Sequence, residues 1–104
     1  MQTIVTARHC EISELLQERA GTIADRLGAL AMRPISCTVL FDVEGTESLA
    51  ELRLLDANGE TLVSRGEGAD HRTALDRAEE RLKRQIETVS GRKRRARRAE
   101  AAEG

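Results

Sequence analysis

Tryptophan and tyrosine are absent from this chain of 104 residues, and Phe41 is its one phenylalanine. Binding of single-stranded nucleic acid by base stacking needs aromatic platforms, so that mode is excluded. The aromatic-faced type of RNA reader is excluded for the same reason. Any contact with nucleic acid must rest on phosphate and shape. No stretch approaches the roughly 18 apolar residues of a membrane span. The opening Met-Gln-Thr-Ile-Val-Thr has no basic segment ahead of an apolar one, so no secretory leader is expected. The expectation is a cytoplasmic protein without membrane partners, in which Cys10 and Cys37 are reduced thiols.

Patterns of catalysis are missing too. Neither His9 nor His71 falls into a Ser or Cys nucleophile pattern. Gly66-x-Gly68 lacks the Lys-Ser/Thr that follows in a phosphate-binding P-loop, and the two glycines read as loop geometry. His9, Cys10, Cys37 and His71 are the metal-type residues, yet no CxxC or HxxxH spacing occurs. His9 and Cys10, being adjacent, would point to opposite sides of a strand. We therefore expect no enzyme, no metal, no cofactor and no small-molecule substrate. Cys37 is expected to be a small core residue.

What the chain does carry is periodicity. Residues 3–8 are β-branched and alternating, as a strand is. Ser13 is placed to cap a helix, with Glu14 in its first turn. Leu16, Ala20, Ile23, Leu27 and Leu30 then recur at spacings of four and three, one apolar stripe of that helix. Gly21 and Gly28 each weaken it by up to ~1 kcal/mol relative to alanine. Pro34 ends it, because the residue before proline avoids helical backbone. Ile35, Cys37, Val39, Phe41 and Val43 alternate with Ser36, Thr38, Leu40 and Asp42 in the clearest strand. Ala50, Leu52 and Leu54 mark a third, Asn58-Gly59 a hairpin turn and residues 61–65 a fourth strand. Asp70 caps a second helix with the stripe Ala74, Leu75, Ala78, Leu82, Ile86 and Val89.

The order is β-α-β-β-β-α, an α+β domain. A crossover through the first helix sets strands one and two parallel, and hairpins join the others. The expected sheet is four-stranded and mixed, with both helices packed on one face. Residues 1–90 read as a single domain and 91–104 as a basic, flexible or frayed tail.

Charge is distributed unevenly. The net charge of −1 conceals a body, residues 1–91, with 11 Arg and Lys against 16 Asp and Glu, a net of −5. Arg92, Lys93, Arg94, Arg95, Arg97 and Arg98 then make six of seven consecutive residues cationic, with no acid among them. Such a run stays solvated unless a polyanion neutralises it. In the second helix Arg77, Arg81 and Arg84 share a face, with Arg72 and Lys83 nearby. Glu79–Lys83 and Glu80–Arg84 are spaced as favourable pairs, each worth ~0.2–0.5 kcal/mol. In the first helix Arg19 and Arg26 share a face. With both helices on one side of the sheet, these faces are expected to frame a basic groove.

These residues are similar to a known family. Residues 1–14, with Ala7-Arg8-His9 between strand and helix, resemble the opening of the ribosome hibernation promoting factor and ribosome-associated inhibitor RaiA family. Gly66-Glu67-Gly68-Ala69-Asp70, Ala74-Leu75-Asp76 and Leu82-Lys83-Arg84-Gln85-Ile86 resemble its last strand end and second helix. The likeness covers roughly residues 2–90 and is to the short form. It implies a double-stranded-RNA-binding-domain-like fold and a non-enzymatic translation inhibitor of stationary phase and stress. The implied partner is the small ribosomal subunit, its rRNA and proteins, with messenger and transfer RNA excluded and, for some members, ribosomes paired into dimers. It implies ribosomal RNA contacts at Arg8, His9, Arg77, Arg81, Lys83 and Arg84. The chain departs from the pattern in lacking an aromatic pair near the end of helix one and in carrying Arg72 where a Tyr is common. Asp42, Glu44 and Glu47 make its body less cationic. The alternative reading is a non-ribosomal protein-interaction module on the same fold.

Overall fold

In the computed structural model the backbone is described for residues 1–103 and the side chains for residues 1–91. The N-terminal β-branched run forms β1 (Gln2–Ala7), and the stripe after Ser13 forms α1 (Glu14–Leu30). The Ser13 hydroxyl accepts from the Leu16 N–H at 3.1 Å, closing the first turn as a capping residue does. The alternating runs form β2 (Pro34–Glu44), β3 (Glu47–Asp56) and β4 (Thr61–Gly68), and α2 is His71–Glu103.

The sheet order is β1-β2-β3-β4. β1 runs parallel to β2 from Gln2 opposite Ser36 to Ala7 opposite Phe41, and the other two pairings are antiparallel. This is the α+β order and mixed sheet that the patterning predicts. Cys37, Val39 and Phe41 of β2 and Ala50, Leu52 and Leu54 of β3 face one way and are buried. Ala20, Ile23, Ala24 and Leu27 of α1 and Ala74, Leu75, Ala78, Leu82 and Ile86 of α2 close over them. The other sheet face has no helix on it and leaves Ile4 and Val63 exposed.

Three expectations change. Leu30 was placed on the buried stripe of α1 but is 44% exposed, because α1 ends there and the core stops at Leu27. Gly66 and Gly68 belong to β4 and not to a loop. β3 and β4 also run several residues longer than the alternation in 50–54 and 61–65.

Gly66 is needed for close approach. A β-carbon on it would collide with the Ala74 carbonyl oxygen and lie 2.7 Å from the Ala78 N. Beside it the Ser64 hydroxyl donates to the Ala78 carbonyl at 2.7 Å, a buried strand-to-helix bond. The backbone of α2 is thus seated directly on β4, which decides what its flanking side chains can reach.

Candidate nucleic-acid interface

The expected cations occupy three separate places. The first is the end of the sheet where β1 stops. His9 adopts φ +60, a left-handed turn that redirects the chain toward α1. The Arg8 backbone N–H donates to the Phe41 carbonyl at 2.8 Å, fixing the turn against β2. Both side chains then reach Asp42: Arg8 Nη2 lies 3.1 Å from Oδ2 and His9 Nδ1 3.1 Å from Oδ1. The Val43 backbone N–H donates to Oδ1 at 2.8 Å. The His9 bond first, then that of Val43 and, with a smaller share, Arg8, hold the Asp42 carboxyl below the usual carboxylate range. Across the same residue, His71 Nε2 donates to the Asp42 carbonyl at 2.9 Å, and its ring meets Phe41 edge-on. Arg72 follows in α2 with no carboxylate at ion-pair distance among the described residues. Asp70 caps that helix, accepting from the Thr73 N–H at 2.7 Å, and the Thr73 bonds depress its carboxyl.

The second place is the cleft between the helices. Arg19 of α1 gives Asp76 of α2 two bonds, from Nε at 3.2 Å and Nη2 at 2.7 Å. About two turns further along α1, Arg26 Nη2 lies 3.1 Å from Glu79 Oε2. The cleft is lined by Arg26, Leu27, Leu30 and Lys83 together with Asp76, Glu79 and Glu80. Glu79 has turned to Arg26, so the predicted Glu79–Lys83 pair is not formed.

The third place is the opposite flank of α2. Arg77 Nη1 donates to the Glu67 carbonyl at 2.6 Å, Arg81 Nη1 to the Arg65 carbonyl, and Gln85 Nε2 to the Val63 carbonyl at 2.8 Å. Every fourth helical residue thus meets every second strand residue. Four residues of helix rise ~6.0 Å and two of strand ~6.6 Å, so the two repeats run nearly in step. β4 is an edge strand, pairing with β3 only, and these carbonyls face outward from it. The side-chain ladder occupies the row of acceptors that an added strand would use. Arg84 shares this face and pairs with Glu80 at 2.7 Å, both side chains exposed.

The single basic groove is therefore not formed. Arg19 and Arg26 face α2, but Arg77 and Arg81 face away from α1, toward β4. Helical spacing shows which residues share a face; it does not show what that face meets. The kind of partner matters as much as the place. A carboxylate cancels the charge of the arginine it binds, whereas a carbonyl satisfies N–H groups and leaves the charge in place. The interhelical cleft matches cation with anion, while Arg77 and Arg81 have no carboxylate at ion-pair distance among the described residues; Glu47 and Glu67 line the same pocket as Arg77. Arg92, Lys93, Arg94, Arg95, Arg97 and Arg98 lie outside the described side chains. They follow the described part of α2 at the end opposite His71.

Sequence reasoning missed Asp42, Asp76 and Glu79 as the partners of Arg8, His9, Arg19 and Arg26, and Gln85 as a third rung beside Arg77 and Arg81. Gln85 was detectable, since it continues the spacing of Arg77 and Arg81. Asp42 was not, because its 33- and 34-residue separations from His9 and Arg8 leave no local trace. Among the described residues no group of three or more His, Cys, Asp or Glu is placed to hold a metal ion. No helix among them is long and apolar enough to cross a membrane.

A family model described as sigma 54 modulation protein / S30EA ribosomal protein matches residues 3–94. No curated protein matches the chain by sequence. Solved structures share the fold, among them the following two. A ribosomal subunit interface protein from Coxiella burnetii is 15% identical with a TM-score of 0.72, over 88% of this chain and 99% of that one. The N-terminal domain of Protein Y from Thermus thermophilus is 24% identical with a TM-score of 0.72, over 86% and 99%.

Proposed function

Because the chain belongs to the sigma 54 modulation protein / S30EA ribosomal protein family, we propose that it is a ribosome-associated translation inhibitor acting as a hibernation factor. It binds the small ribosomal subunit in the cytoplasm through phosphates of ribosomal RNA and sterically excludes messenger and transfer RNA, a silencing suited to stress and stationary phase. The observation that carries this reading is the family match, which covers residues 3–94, from β1 into the basic segment.

Within that reading the three places have different weights. The β4 flank, with Arg77 and Arg81 uncancelled, and residues 92–98 on the same helix supply the positive surface. Arg72 adds a cation at the far end of the domain, where Arg8 and His9 are held by Asp42. From His71 to Gly91 the helix rises ~30 Å at 1.5 Å per residue, so the two ends can engage separate stretches of a folded RNA. Arg19 and Arg26 join the helices and are secondary to RNA contact. With a single phenylalanine in the chain, recognition is of backbone shape and not of bases.

The test is co-sedimentation with isolated small subunits at low and raised salt. Binding at low salt that weakens steeply as salt rises is expected, through release of counterions from neutralised phosphates. Absence of co-migration at low salt would end the reading. Capture of a protein partner that survives nuclease and high salt would favour the interaction-module alternative.

A further inference from the structure

Two donors from adjacent residues, Arg8 and His9, converge on one carboxylate that lies on another strand. Four features of that contact bear on what it does. First, the donors are preset. The left-handed backbone of His9 and the bond from the Arg8 N–H to the Phe41 carbonyl hold both residues before any ligand arrives. Second, the donors are open to solvent while the acceptor is recessed. The Arg8 and His9 side chains are 61% and 75% exposed, and that of Asp42 is 19% exposed. A guanidinium has five N–H groups, and Arg8 commits one of them here, so others face outward.

Third, the carboxylate has a donor besides the pair. The Val43 N–H donates to Oδ1 at 2.8 Å, and the Asp42 side chain, 19% exposed, has solvent to take the place of Arg8 and His9. Fourth, an exposed pair of this kind contributes little stability, so an incoming anion can displace it at small cost. The contrast is Arg19, which gives Asp76 two bonds from a side chain only 34% exposed and is not free to exchange.

A carboxylate presents charged oxygens to N–H donors as a phosphate does, and arginine binds both in the same way. We infer that Arg8 and His9 form a phosphate-binding site that the Asp42 carboxylate occupies in the free protein, which makes Asp42 an internal competitor for the RNA backbone. This rests on the ribosomal reading for the identity of the phosphate, though not for the existence of the site. Asp42 then sets how tightly this end of the domain holds RNA. It gives up Arg8 and His9 to a phosphate brought against them, and a monovalent anion, with less charge to offer, competes less well.

The experiment compares the full chain with its D42N variant. Asparagine keeps an oxygen for the Val43 N–H and removes the charge. Inorganic phosphate is titrated in while the His9 ring and Arg8 side-chain resonances are followed by NMR. D42N should reach half-saturation at about three- to tenfold lower phosphate, the effect of removing one like charge beside the anion in a solvent-screened setting. Adding R8Q to D42N should abolish that gain. Equal or weaker phosphate response in D42N overturns the proposal, as does a response that leaves His9 and Arg8 unmoved. Binding to isolated small subunits is then measured for both chains. If neither binds subunits although the phosphate titration behaves as expected, the site stands and the ribosomal reading falls. If both bind equally while phosphate distinguishes them, Asp42 does not compete with RNA and the proposal fails.

Discussion

A pair of arginines lies along each flank of α2, with opposite electrostatic outcomes. Toward α1, Arg19 and Arg26 meet Asp76 and Glu79, and cation is matched with anion. Toward β4, Arg77 and Arg81 meet the carbonyls of Glu67 and Arg65, which quench no charge. A count of arginines would rank the flanks alike. The structure separates them by what each guanidinium donates to, and that choice follows from seating α2 on an edge strand. The same seating closes the β4 edge to further strands. Arg77 and Arg81 are therefore structural and positive at once.

The largest consequence of disturbing this arrangement is expected at Gly66. Gly66→Ala puts a methyl against the Ala74 carbonyl and 2.7 Å from the Ala78 N, both backbone atoms of α2. Backbone cannot yield as a flexible side chain does, so a loss of roughly 3 kcal/mol, the upper end for overpacking, is expected in denaturant unfolding. A loss below about 0.5 kcal/mol, within the range of an ordinary surface change, would mean that α2 is not seated on β4 as described.

Next in size is removal of the arm. Truncation after Gly91 deletes six cations and two acids. If only three of those cations touch phosphate, the slope of log affinity against log salt should become shallower by about 2–3. Measurement of small-subunit binding at several salt concentrations checks this, and an unchanged slope would make the arm a bystander.

Acid has a smaller effect. Asp42 and Asp70 both have folded-state values below the ordinary one. A depressed carboxyl contributes stability that is present above its unfolded pKa and is lost as pH falls through the folded value. Stability should hold down to about pH 4 and fall below it, and the D42N/D70N double variant should fall less steeply over that range. Denaturant midpoints from pH 2 to 6 report both slopes; equal slopes would contradict the hydrogen-bond assignments.

The smallest effect is at the thiols. Burial, followed by the charge of Asp25, pushes the Cys37 thiol up to about 11, and its side chain is fully enclosed. At neutral pH an alkylating reagent should modify half-buried Cys10 first and Cys37 only on unfolding. Mass spectrometry of partly labelled protein gives the order.

Much of the fold was readable because it depends on local patterns. Ser13 and Asp70 cap the helices that follow them, the alternation of residues 35–43 runs through β2, and the crossover rule gives a parallel β1–β2 pair. The site was only half readable. The face shared by Arg77, Arg81 and Arg84 follows from the helical period, but the direction of that face depends on Gly66, which reads as loop geometry in the sequence and lies in β4 against α2. A glycine in a strand and a glycine in a loop look alike in sequence; only the backbone pressing on it tells them apart. The partners of Arg8, Arg19 and Arg26 lie 34, 57 and 53 residues away, so no local spacing could indicate them. The resemblance pointed to Arg8 and His9 without indicating that an internal acid already holds them.

The most direct test sets one flank of α2 against the other. Small-subunit binding is measured across a range of salt for R19Q/R26Q and for R77Q/R81Q, glutamine keeping an amide donor for the β4 carbonyls while removing charge. If carbonyl-bound arginines carry the phosphate contacts, R77Q/R81Q should flatten the log–log slope by about 2 and R19Q/R26Q should leave it nearly unchanged. A larger change for R19Q/R26Q would show that the interhelical cleft, and not the β4 flank, faces the RNA.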